Sequence, residues 1–144
     1  MPVVLAHAVA TLVLVGMIWV IQVVHYPLFA AVGEGSFVAY EAAHSMRITW
    51  VIVVPWAVQG LTTAALLLAP PSWIPRWLVA VAAVLALIPV IVTIALSVPA
   101  HSVLSQGFDA AAHARLVSTN WLRTAAWTLH GGVAVWMLVL TLRR

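Results

Sequence analysis

The chain has 144 residues, 65% of them hydrophobic and only 6% charged, with a formal charge of +3. A soluble domain of this size needs far more polar surface, so composition excludes that class and points to an integral membrane protein. The lack of cysteine excludes disulfides, iron–sulfur clusters and thiolate metal sites. The small positive charge sits at chain ends and loop edges, which argues for membrane orientation and against nucleic-acid binding.

A helix needs roughly 20 apolar residues to cross a bilayer core, and four such runs fit. The first covers about Val3 to Ala31. It is too long for a signal-peptide core, lacks a basic leader and contains His7, Gln22 and His25, so it reads as a retained span. "GEGS" ends it, and the second run covers about Phe37 to Leu68. "APPSWIP" leads into the third, about Pro75 to Leu104, and "SQGFD" into the fourth, about Ala111 to Leu142. Clusters of Gly, Pro and Ser mark connections. Connections this short predict antiparallel neighbours: an all-α, up-down four-helix bundle forming one transmembrane domain over residues 1–144. All four runs exceed the minimum, so tilt or extension past the membrane is expected.

Arginine placement sets the expected orientation. Arg76, Arg143 and Arg144 share an end with no acid, whereas Glu34, Glu41 and Asp109 balance Arg47, Arg115 and Arg123 at the other. Both termini are therefore expected in the cytoplasm, in a bacterial inner or plasma membrane. Trp73, Trp77 and Trp136 suit an interfacial aromatic belt.

Polar side chains inside lipid need a reason beyond backbone satisfaction. His7, Thr11, Gln22 and His25 lie within about 60° of one another at the helical period. His44, Pro55, Gln59 and Thr62 form a second stripe with Arg47 at its edge. Thr93, Ser97 and His101 step by four, and His113, Asn120, Arg123, Trp127 and His130 share a broad face. Four stripes can meet only in the bundle interior. By depth, His25, Glu41, His44, His101 and His113 fall in one layer of the outer half, with Arg47, Asn120 and Arg123 a turn or two deeper. His7 and His130 lie about 25 Å away, at 1.5 Å per residue. They are expected to bond to each other or to neighbours, or to extend a proton path. A repeat also shows: His25 precedes His44 by 19 residues and Arg47 by 22, and His101 precedes Asn120 and Arg123 by the same intervals. This suggests a duplicated helical hairpin with a site at the repeat interface.

Glu41-x-x-His44 matches the Glu-x-x-His element of carboxylate-bridged metal bundles. With His25 and His101 it offers three nitrogens and one oxygen, a set suited to copper, iron or zinc. The alternative is a water-filled polar plug in which these groups bond to Asn120, to hydroxyls and to arginines. His113 is the candidate fifth ligand or acid–base residue. A buried arginine needs an anion or a carbonyl, so Arg47 and Arg123 either hold a substrate oxyanion or form ion pairs such as Arg47 with Glu41. Trp50, Trp121 and Trp127 either wall a pocket for a flat apolar substrate or serve as packing and lipid-facing anchors. Pro99, two residues before His101, is placed to kink the third run and aim that imidazole inward.

The stretch "TNWLRTAAW" (Thr119 to Trp127), preceded by "VPAHSVL" (Val98 to Leu104), resembles the anthrone oxygenase-like family of small four-helix membrane proteins. Pro99, Leu104, Asn120, Arg123 and Thr124 fit that family's pattern, while His101 stands where the family usually has Asn. "HYPLF" and "YEAAHSMR" look like a histidine-rich, mostly uncharacterised subgroup. The resemblance implies oxygenation of a small lipid-soluble aromatic substrate, with Asn120 and Arg123 binding or polarising a phenolate-like group.

The expected function is thus a membrane-embedded, metal-dependent oxidoreductase of oxygenase type. His25, Glu41, His44 and His101 would be its metal ligands, and His113, Arg47, Asn120 and Arg123 its catalytic residues. Its expected partners are the bilayer and a lipid-soluble substrate, with a homo-oligomer left open. The alternatives are a haem b protein with two histidines as axial ligands, a proton-coupled small-molecule transporter with Glu41 as the coupling acid, and a structural or assembly subunit.

Overall fold

A computed structural model describes residues 1–144, and its regular structure is entirely helical. α1 (Pro2–Val20) continues through a π-helical turn (Ile21–His25) and a 3-10 turn (Pro27–Ala31). α2 spans Glu34–Leu68. α3 (Arg76–Val92) runs through a second π-helical turn (Thr93–Ser97) into α4 (Val98–Leu104), and α5 spans Ala110–Leu142. The four resulting helical stretches, Pro2–Ala31, Glu34–Leu68, Arg76–Leu104 and Ala110–Leu142, are each long and apolar enough to cross a membrane. They lie within a few residues of the runs read from sequence.

Local chemistry sets the ends. Pro2 opens α1, where its missing N–H costs nothing. Asp109 caps α5 by accepting the Ala112 N–H at 2.6 Å. Gly107, at φ +149°, supplies the turn before it, a conformation that side-chain-bearing residues rarely adopt.

The two π turns have one cause. Pro27 and Pro99 lack an N–H, and each ring crowds the carbonyl four residues back. Just before each proline the helix widens, so Tyr26 N–H reaches the Ile21 carbonyl at 2.9 Å and Val98 N–H reaches the Thr93 carbonyl. Each turn takes up one residue more than an α-helix would. The turns end at His25 and Ser97, which equates those two positions. The 19- and 22-residue spacings instead pair His25 with His101, one turn further along.

Two apolar cores stack along the bundle. One gathers Val4, Leu66, Ile74, Leu78 and Met137 at the end holding the termini. The other gathers Leu14, Ile18, Phe29, Phe37, Leu104, Leu116 and Trp127 toward the opposite end. α1 and α5 approach closely at Gly131, where an added Cβ would come within 3.0 Å of Val15 Cγ2. Small residues at such crossings let helices pack where lipid removes the usual hydrophobic drive. The outer faces are apolar and bare: Leu68 is 87% exposed, Trp50 75% and Leu61 72%. That surface suits hydrocarbon.

Candidate functional site

The end opposite the termini carries the polar layer. Tyr26, at the close of the first π turn, is buried beneath Phe29 and His44. Its hydroxyl lies 3.1 Å from His101 Nε2 and accepts an N–H from Arg123 Nη2 at 3.1 Å. His101 Nδ1 donates to Glu41 Oε1 at 2.6 Å, and Ser45 donates to the same oxygen at 3.1 Å. With its Nδ1 proton on Glu41, His101 offers Nε2 as the acceptor for the tyrosine proton. An unbroken chain therefore runs Glu41–His101–Tyr26–Arg123. His25 Nε2 and His44 Nδ1 share one hydrogen at 2.7 Å, and the His44 ring stacks on His101 at 5.4 Å.

Arg123 is held rigidly. Its Nε and Nη2 both donate to Asn120 Oδ1, and Nη1 donates to Thr93 Oγ1 at 3.2 Å. Asn120 is fixed in turn by donating to Gln22 Oε1 at 2.8 Å. No carboxylate touches Arg123; the one basic side chain within hydrogen-bond reach of a carboxylate is His101, on Glu41.

Beside this layer a cavity of about 600 Å³ opens sideways between α2 and the third helical stretch. Tyr26, His44, Ser97, His101 and Arg123 form its polar end, and Ile48, Ile52, Trp56 and Val98 its apolar walls. Three buried polar atoms of this region have no protein partner: Glu41 Oε2, His44 Nε2 and Ser97 Oγ. A helical serine usually bonds the carbonyl four residues back. Here that carbonyl, Thr93, takes the Val98 N–H of the π turn, and Ser97 Oγ is left free.

The sequence-predicted residues divide. His25, Glu41, His44 and His101 do meet in one layer, but their donors are spent on two hydrogen-bonded pairs. No three His, Asp or Glu side chains converge as a metal ion would need. The atoms of this set without a hydrogen-bond partner are the buried His44 Nε2 and Glu41 Oε2 and the half-buried His25 Nδ1. The imidazoles of His25, His44 and His101 lie ring against ring, at centroid distances of 4.6 and 5.4 Å, with no slot for a porphyrin between them. His113 is not in the cavity: its Nε2 binds the Tyr26 carbonyl at 2.8 Å, tying α5 to the first stretch. Arg47, expected at the polar stripe's edge, is exposed on the outer surface and forms no pair with Glu41. The π turns are absent from α2, so nothing rotates Arg47 inward. Trp50 and Trp121 are also outward-facing; Trp56 walls the cavity and packs on the buried Trp127.

His7 and His130 form a separate, fully buried cluster, and its bonding fixes their tautomers. The Thr62 hydroxyl is spent on the Val58 and Gln59 carbonyls, so its oxygen accepts from His7 Nδ1 at 3.0 Å. His7 Nε2 then accepts from His130 Nε2 at 3.1 Å, and His130 Nδ1 accepts from Gln59 Nε2 at 3.3 Å. Gln59 also donates to Thr11 and accepts from Trp127 Nε1. Both imidazoles are neutral in this arrangement.

Tyr26 is the central residue that sequence reasoning passed over. An aromatic beside a helix end reads as an interfacial anchor; only "HYP", with proline directly after, hinted at a distorted turn. Among known proteins no family model, no curated protein and no solved structure matches this chain. The likeness to anthrone oxygenase-like proteins rests on Pro99, Leu104, Asn120, Arg123 and Thr124 alone.

Proposed function

We propose that the chain is a membrane-embedded oxidoreductase of oxygenase type, acting on a small lipid-soluble substrate in the lateral cavity. In this reading the four helices cross a bacterial inner or plasma membrane as an up-down bundle with both termini cytoplasmic. The observation that carries the proposal is the cavity itself. It opens on the side of the bundle, exposes mostly apolar surface, and holds a fixed arginine among its lining residues, with His44 and Ser97, whose Nε2 and Oγ are unpartnered. Such a site admits a hydrophobic molecule from the bilayer and meets its polar end with preorganised donors.

The chemistry that fits is oxidation of an activated methylene next to a phenol-like ring. The methylene loses a proton to a base, the resulting enolate oxygen rests at Arg123, and dioxygen takes the electrons. One oxygen atom stays as the new carbonyl and the other leaves as water, so CH2 plus O2 gives C=O plus H2O. Asn120 positions Arg123. A bound copper or iron ion would supply oxygen activation. The side chains as they stand do not converge on such an ion; His44 Nε2 and Glu41 Oε2 are the buried atoms free to meet one.

The test is oxygen uptake by the detergent-purified chain given anthrone, with elemental analysis of the same sample. Uptake lost in Arg123→Lys and Glu41→Gln is expected. Wild-type uptake no faster than that of an inert membrane protein would sink the oxygenase reading. Uptake without stoichiometric metal would remove the metal from it.

One observation favours a second reading, a proton-coupled transporter. Glu41 is a buried carboxylate with one free oxygen, next to a lateral opening. Substrate flux in liposomes that disappears in Glu41→Gln, with no oxygen uptake in wild type, would select it.

A further inference from the structure

The cavity's polar end constrains what it can hold more tightly than its size does. Resting on the reading of this cavity as a substrate site, we infer that it binds the neutral head of a quinone or quinol, with the alkyl tail left in lipid.

Two buried hydrogen-bonding atoms without a partner belong to residues that line this cavity on different elements: His44 Nε2 on α2 and Ser97 Oγ in the second π turn. Both residues are more than nine-tenths buried. A buried polar atom without a partner is costly, so a resident molecule that supplies an oxygen to each is favoured. A head with a single oxygen serves one wall only. A ring bearing oxygens on opposite edges serves both.

Charge balance favours a head that arrives neutral. Arg123 is a buried cation and Glu41 a buried carboxylate, and Tyr26 and His101 join them by hydrogen bonds. With His101 Nδ1 donating to Glu41 and Nε2 accepting from Tyr26, the cluster carries no net charge. A fatty-acid carboxylate or a lipid phosphate would add an uncompensated charge in a low-dielectric site. A quinone adds none. The flat face of Trp56 and the side chains of Ile48 and Val98 match a planar ring. The sideways opening leaves a tail in hydrocarbon, so the ligand need not be swallowed whole.

The experiment is a titration of the full-length, detergent-purified chain with decylubiquinone, read as quenching of tryptophan fluorescence. Trp56→Phe serves to assign the quenched residue. Saturable quenching, largely absent in Trp56→Phe, is expected. Ser97→Ala and His44→Phe should each weaken binding about tenfold, the loss of one hydrogen bond, with circular dichroism confirming that both variants fold. Decanoic acid and decylbenzene, which have comparable tails but the wrong heads, should not displace the quinone. Quenching that never saturates, equal affinity in both folded variants, or displacement by decanoic acid would each overturn the inference. Quinone binding without oxygen uptake would refute the oxygenase reading and leave this one standing. Uptake without quinone binding would do the reverse.

Discussion

Replacing Gln59 with leucine tests whether the inner polar cluster is a tied network or a set of incidental contacts. Gln59 is fully buried and engages three partners: it donates to Thr11 and to His130 Nδ1, and accepts from Trp127 Nε1. Leucine is close in volume, so packing changes little, but three polar groups lose a partner. Each orphan costs about 1–3 kcal/mol in a protein interior. Side-chain hydrogen bonds within membrane helices average nearer ~0.6 kcal/mol. Three such losses predict a destabilisation of about 2–5 kcal/mol. The control is Thr63→Val, whose hydroxyl bonds only the Gln59 carbonyl of its own helix; its expected cost is below ~1 kcal/mol. The assay is reversible unfolding in mixed detergent micelles followed by circular dichroism. A Gln59→Leu variant within ~0.5 kcal/mol of wild type, inside the range of ordinary surface changes, would refute the reasoning. The bonds from Trp127 to Thr62 would then be energetically idle.

Arg123→Lys should abolish activity while leaving the fold intact, because one ammonium cannot serve Asn120, Thr93 and Tyr26 together. Oxygen uptake and a melting curve on the same sample check it. Arg47→Ala should change stability by less than ~0.5 kcal/mol and leave uptake unaltered, since Arg47 is exposed and unpaired; a tenfold loss of uptake would return Arg47 to the site. Nitrogen-15 NMR should find His7 protonated at Nδ1 and His130 at Nε2, and the same tautomer at both would contradict the deduced order of bonds.

The bundle was legible because its signal is repeated: four apolar runs and three breaks fix helix number and limits with little help from tertiary contacts. The shared layer of His25, Glu41, His44 and His101 was legible too, since depth along a helix follows from counting residues. Facing was less so. A wheel drawn at constant pitch places Arg47 near the polar stripe, yet it points outward, and depth alone leaves Trp50 open between pocket wall and lipid-facing anchor, of which the exposed position is the outcome. The wheel also gives no role to Tyr26. For Tyr26 the missing information lay in the π turn before Pro27, which depends on how the proline is accommodated; for Arg47 and Trp50, on a helix without such a turn, it lay in how far the buried face of α2 extends to either side of His44. Pro55 and Pro89 sit within ordinary α-helix, so proline alone does not announce such a turn.

Those two turns work as phase shifters. One extra residue taken up in a helical turn sets every later side chain back by roughly 100° around the axis relative to a constant-pitch helix. The first and third stretches thus present one azimuth to the apolar core near the termini and another to the polar layer beyond Ile21 and Thr93. Deleting a single residue from either turn would restore α-helical pitch and leave the later side chains at their present azimuth. Relaxing the turn to α-helix with no deletion, the change that Pro27→Ala or Pro99→Ala permits, would swing Tyr26, or Ser97 and His101, off the cavity while every residue that lines it remained in the chain.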